Sequence, residues 1–198
     1  MAPKVIVLNF VDEHIQYYAN QVKKIDDKIH RDFVNMSIKA QEAGVDAIIV
    51  ACTVLTPIVD AVKPFITVPI TAVDRPVLEM AVKNFTKIGV VVTNAPTGPA
   101  TKEQLEKIAL ELGKGIEVDI EIETKAMTEL KAGNVEKHNR LNASAARKLK
   151  DRGSEVIILA QITQASAEKE VKELGLPVLT TPREAVKTIL ELSKNKNQ

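Results

Sequence analysis

The chain has 198 residues, with 27 Lys plus Arg against 26 Asp plus Glu, three histidines, one cysteine and no tryptophan. That balance provides no global field for gripping phosphates, and 3% aromatic residues provide no stacking platform for single strands. A lone cysteine closes no internal disulfide and builds no thiolate metal cluster, so no metal and a reducing, cytoplasmic setting are expected, with no nucleic-acid or membrane partner.

In chain order, an apolar run over residues 4–10 predicts a first strand; residues 1–8 lack the long apolar core and cleavage site of a signal peptide. Residues 13–43 predict helix, long enough to contain a break near Asp26-Asp27. Strand 46–51, a short helical stretch over 57–62, strand 66–70 and helix 74–84 follow. Strand 87–93, helix 101–112, strand 117–124, helix 134–152, strand 155–160, helix 165–174, strand 177–179 and helix 183–193 complete the series. No apolar run approaches the ~18 residues that cross a bilayer. Runs such as Ile48-Ile49-Val50 and Val156-Ile157-Ile158-Leu159 are apolar on both faces and require cover on both sides. Alternation of this kind predicts an α/β protein with mainly parallel sheets. Gly44, Gly113, Gly153 and Gly175 stand just past helical patterns, where helices tend to stop.

An internal echo orders these elements. Gly44 to Cys52 (GVDAIIVAC) parallels Gly153 to Gln161 (GSEVIILAQ), each spanning eight positions from glycine to strand end. Val68-Pro69-Ile70 likewise parallels Leu176-Pro177-Val178, with Arg75 and Arg183 each six residues past the proline. Two pseudo-symmetric α/β lobes follow, the first of residues 1–95 and 180–198 around Cys52, the second of residues 96–179 around Gln161. Ligands of parallel α/β sheets sit beyond the carboxyl ends of strands, so a cleft between the lobes would bring Cys52 and Gln161 face to face. The opposing interpretation is packing, because a free cysteine at a strand end is commonly buried and inert.

The stretches Glu42 to Thr53, Val68 to Ile70, Lys87 to Thr97 and the strand ending at Gln161 resemble the aspartate/glutamate/hydantoin racemase superfamily over nearly the whole chain. The resemblance implies two α/β lobes around a small carboxylate or hydantoin-type substrate, no cofactor, and one cysteine from each lobe facing the substrate's α-carbon. Cys52-Thr53 matches the first cysteine setting in part, whereas Gln161-Ile162-Thr163 stands where the second would be. Two thiols suit inversion because each can give and take a proton. A carboxamide cannot, so Gln161 is expected to orient the substrate by donating hydrogen bonds.

The resemblance further implies substrate contacts from Asn9, Thr53, Thr97 and Thr163; by residue type alone these are equally turn and cap residues. Arg75 and Arg183 are expected to support helices. His14, His30 and His138 have no metal-binding spacing and are expected to lie at the surface or to be internally satisfied. The implied activity is racemisation, epimerisation or isomerisation at an acidic α-carbon. Alternatives are single-cysteine decarboxylation of a malonate-type diacid and non-catalytic binding of a small anion. A homo-oligomer is compatible with the resemblance.

Overall fold

The computed structural model describes residues 5–22 and 24–195. The long helical span divides into α1 (Glu13–Val22) and α2 (Asp27–Glu42). The break falls just ahead of Asp26, whose carboxylate accepts the Ile29 N–H at 3.0 Å and caps α2. Ile29, Phe33, Ser37 and Ala40 form one buried stripe along α2, the three-and-four spacing of an amphipathic helix.

β1 (Ile48–Val50) pairs in parallel with β2 (Ile70–Ala72), Val50 opposite Ala72. A 3₁₀ helix (Thr56–Ile58), α3 (Val59–Val62) and a second 3₁₀ helix (Lys63–Phe65) cross between them. β2 starts four residues later than expected. Gln41 Oε1 accepts the backbone N–H groups of Thr67 and Val68 and so occupies them away from the ladder. α1, α2, α3, β1 and β2 enclose one apolar core, including Ile15, Phe33, Val50, Leu55, Val62 and Ile70.

α4 (Arg75–Asn84) leads to a four-stranded parallel sheet of order β4-β3-β5-β6. Its strands are β3 (Lys87–Val92), β4 (Glu117–Ile122), β5 (Val156–Leu159) and β6 (Val178–Thr180). α5 (Thr97–Glu111) joins β3 to β4, while α6 (Thr124–Lys131) and α7 (Val135–Asp151) return the chain to β5 on the other side of β3. A third 3₁₀ helix (Ile162–Ala167), α8 (Glu168–Lys172), β6 and α9 (Thr181–Asn195) follow. α4 and α5 cover one face through Leu78, Val82, Leu105 and Ile108; α7 and α8 cover the other through Ala146, Leu149 and Val171. Connections leave adjacent strands β3 and β5 toward opposite edges, which makes the carboxyl ends of these two strands the switch point of the sheet, where a crevice forms.

Three further features differ from the sequence expectation. The predicted first strand is absent over its described residues 5–10; Lys4 lies outside them. Val5, Ile6, Val7 and Leu8 are exposed, Ile6 by 89%; the run has strand-forming residues but no ladder to take its N–H and C=O groups. α6 stands where only the end of a strand was expected, because Glu123 turns its carboxylate back to accept the Lys125 N–H. The boundary at residue 95 assigns β3 to the first lobe, yet β3 is hydrogen-bonded between β4 and β5. Its Ile88, Val90 and Val92 complete the core under α4 and α5, so the change of sheet comes at α4. α9 packs against α4, β1, β2 and the 3₁₀ helix that follows Gln161.

Candidate functional site

Cys52 follows β1 by two residues, and its carbonyl accepts the Leu55 N–H at 2.9 Å, closing a tight turn. Its half-buried thiol borders a cavity of about 350 Å³ whose walls include Asn9, Phe33, Ser37, Ile49 and Leu55. The structure therefore brings Asn9 and Cys52 to one cavity. Thr53 is half-buried beside Cys52 but does not border that cavity, nor do Thr97, Gln161 and Thr163.

Pro57 stands at the start of the 3₁₀ helix behind this turn, where its missing N–H costs nothing. Thr56, buried ahead of it, donates its hydroxyl to the Asp74 carboxylate, 3.1 Å from Oδ1 and 3.3 Å from Oδ2. Cys52 and Asp74 occupy equivalent places on neighbouring strands, each two residues beyond the Val50–Ala72 pair. Asp74 is almost completely enclosed. Burial pushes its carboxyl up to about 6, against the opposing hydrogen bond from Thr56 and the nearby Arg75.

At the switch point of the larger sheet, Gln161 follows β5 and Thr93 follows β3. Gln161 Oε1 accepts both the Thr93 backbone N–H at 2.6 Å and the Thr93 hydroxyl at 2.9 Å. Its carboxamide nitrogen has no acceptor among the described residues and is left as a pair of donors. Gln161 also begins the third 3₁₀ helix in a reciprocal cap with Gln164. Thr97, at the start of α5, is buried, and its hydroxyl has no partner among the described residues. Thr163 is exposed. Thr181, opening α9 after β6, has a buried hydroxyl equally without a partner among them.

Other predicted polar residues serve the scaffold. Arg75 bridges Glu79 at 2.6 Å and Glu111 at 2.7 Å, tying α4 to α5. His14 stacks on Tyr18, His30 Nδ1 lies 3.1 Å from the Asp26 carbonyl, and His138 is buried and internally hydrogen-bonded. Asp74, Thr93 and Gln164 were not singled out from sequence. Thr93 had a usable signal, because it closes an apolar run on the side where parallel strands present ligands.

No described helix is long and apolar enough to cross a membrane, and no described group of three His, Cys, Asp or Glu side chains could hold a metal ion. The fold, a small parallel pair joined to a four-stranded parallel sheet, is that of racemase-type isomerases. Glutamate racemase from Francisella tularensis in complex with D-glutamate superimposes with a TM-score of 0.68 at 17% identity, over 89% of this chain and 70% of that one. Allantoin racemase from Klebsiella pneumoniae gives 0.63 at 21% identity, over 85% and 67%. Glutamate racemase isoform RacE1 from Bacillus anthracis gives 0.62 at 17% identity, over 86% of this chain but only 65% of the longer relative. No curated protein sequence matches the chain. The Asp/Glu/Hydantoin racemase family matches residues 6–189, and the chain belongs to that family.

Proposed function

We propose that the protein is a cofactor-independent isomerase acting at the acidic α-carbon of a small carboxylate or hydantoin-type substrate, with Cys52 as the proton-transfer base and acid. The observation that carries this reading is the half-buried Cys52 thiol at the end of a parallel strand, bordering a cavity with Asn9, in a chain of the racemase family. Removing the α-proton leaves negative charge on the adjoining carbonyl oxygen, which fixed donors must meet. On this reading the free carboxamide donors of Gln161 take that role and Thr53, Thr97 and Thr163 offer hydroxyl and backbone groups to the substrate carboxylate, all four from outside the cavity that Cys52 borders.

The single cysteine also favours a second reaction. In a malonate-type diacid, breaking the bond to one carboxyl group releases CO₂ and leaves its electron pair as the same enolate, which then needs one proton from one face. Incubation of amino acids, hydantoins and alkyl- or arylmalonates in D₂O, with Cys52→Ala as control, separates the two. Deuterium at the α-carbon is expected for the isomerase, with retention where Cys52 returns the proton to its own face and loss of optical activity where solvent water supplies the opposite face, and CO₂ release for the lyase. Activity that survives Cys52→Ala, or a wild type inert toward every compound it binds, would sink both.

A further inference from the structure

The hydrogen bonds behind Gln161 run in one direction, and backbone groups with fixed roles set that direction. The N–H of Thr93 can only donate, so the Gln161 atom it meets is Oε1 and the carboxamide nitrogen faces away. The N–H of Gln161 in turn fixes Gln164 Oε1 at 3.0 Å, which directs Gln164 Nε2 onto Asn142 Oδ1 at 2.6 Å. Asn142 Nδ2 then donates to the His138 carbonyl at 2.9 Å and to the ring Nε2 at 3.2 Å. His138 Nδ1 is left to donate to the Ala126 carbonyl at 2.8 Å. His138 Nδ1 is therefore the donor and Nε2 the acceptor, since a hydrogen on Nε2 would confront those of Asn142.

His138, Asn142 and Gln164 are each fully buried. Apolar side chains would fill the same space without the cost of taking amides and an imidazole out of water. A buried polar chain of this length is tolerable only when every member is satisfied, and it then fixes one arrangement. What it fixes here is the 3₁₀ helix after Gln161, held to α7 by Gln164–Asn142 and by the Ser166 hydroxyl on Asn139 Oδ1 at 2.8 Å.

We propose that His138 is a positioning residue: through Asn142 and Gln164 it holds Gln161 with its carboxamide donors at the β3–β5 switch point, ready for a carboxylate or enolate oxygen. The inference rests on Gln161 acting as the substrate's donor, yet its geometry can be tested without turnover. In ¹⁵N–¹H spectra of the wild type at neutral pH, the His138 ring is expected as the Nδ1–H tautomer; an Nε2–H tautomer or an imidazolium overturns the proposal. His138→Leu and Gln164→Leu are expected to displace the Thr93 amide and the Gln161 side-chain pair, the latter assigned by its loss in Gln161→Glu. His138→Gln, which keeps an acceptor near the Nε2 position, is expected to restore them. Unmoved resonances in either folded leucine variant count against the relay. In the D₂O assay, His138→Leu is expected to slow α-exchange about tenfold, the scale of one lost hydrogen bond, without changing the rate at which iodoacetamide alkylates Cys52. Absence of exchange in the wild type would defeat the isomerase reading while leaving the spectroscopic outcome to decide the relay.

Discussion

Asp74 shows how one buried group links the site to stability. Its carboxyl is raised from 3.8 to about 6, so folding favours the neutral form. That contribution is complete below the unfolded value and is lost as pH rises through about 6. The rise corresponds to about 3 kcal/mol, at about 1.36 kcal/mol per unit. Asp74→Asn is therefore expected to gain stability relative to the wild type as pH climbs from 4 to 7.5. Urea unfolding of both proteins at the two pH values measures it, and equal differences at both ends would refute the assignment. Cys52 and Gln161 were legible as residues just beyond strand ends because the two halves of the sequence repeat the same glycine-to-strand-end spacing. Asp74 reads as an ordinary residue before a helix, since its burial depends on Thr56, 18 positions away. His138 and Asn142 read as one polar stretch of α7, and only the fold turns that stretch inward toward Gln164.

Among the elements, regular structure was legible wherever an apolar pattern meets a partner within the same sheet. β3, β4 and β5 fall within the expected ranges because their side chains are gripped by helices. The run 5–10 has the same composition, and sequence carries no term for the missing ladder. α6 was hidden for the converse reason: Ala126 is its single buried residue, too faint a stripe to read as a period. These elements should differ sharply under mutation. Ile6→Lys is expected to change unfolding free energy by less than about 0.5 kcal/mol, whereas Leu149→Ala, fully buried between α7 and the sheet, is expected to cost about 2–5 kcal/mol. Chemical denaturation tests the pair, and a large loss from Ile6→Lys would show that the run is packed in solution. In β3, an added Cβ at Gly89 would stand 2.7 Å from Ser154 Oγ, so a side chain there requires Ser154 to move.

Across the whole molecule, the smaller sheet's core and the larger sheet's two cores are joined by α4 and α9. Ala185 and Ile189 are buried on α9, which packs on both β1 and the 3₁₀ helix after Gln161. Ile189→Ala is expected to lower the melting temperature while leaving one cooperative transition; separate melting of the two sheets would show that α9 does not couple them. The ion pairs Lys107–Asp60 and Arg75–Glu111 also reach across helices, and Lys107, then Lys63, holds the Asp60 carboxyl down at about 2. Partly exposed pairs add little stability, so burial along α4 and α9 dominates the coupling.

The undocked run also bears on how copies of the chain behave together. Among the described residues β1 pairs with β2 alone, and an uncovered strand edge templates the addition of any compatible chain. Residues 5–11 are such a chain, of which 8–11 line the same cavity as β1 without pairing to it. A net charge of +1 supplies little repulsion between copies. Light scattering at rising concentration should show self-association that Ile6→Lys suppresses.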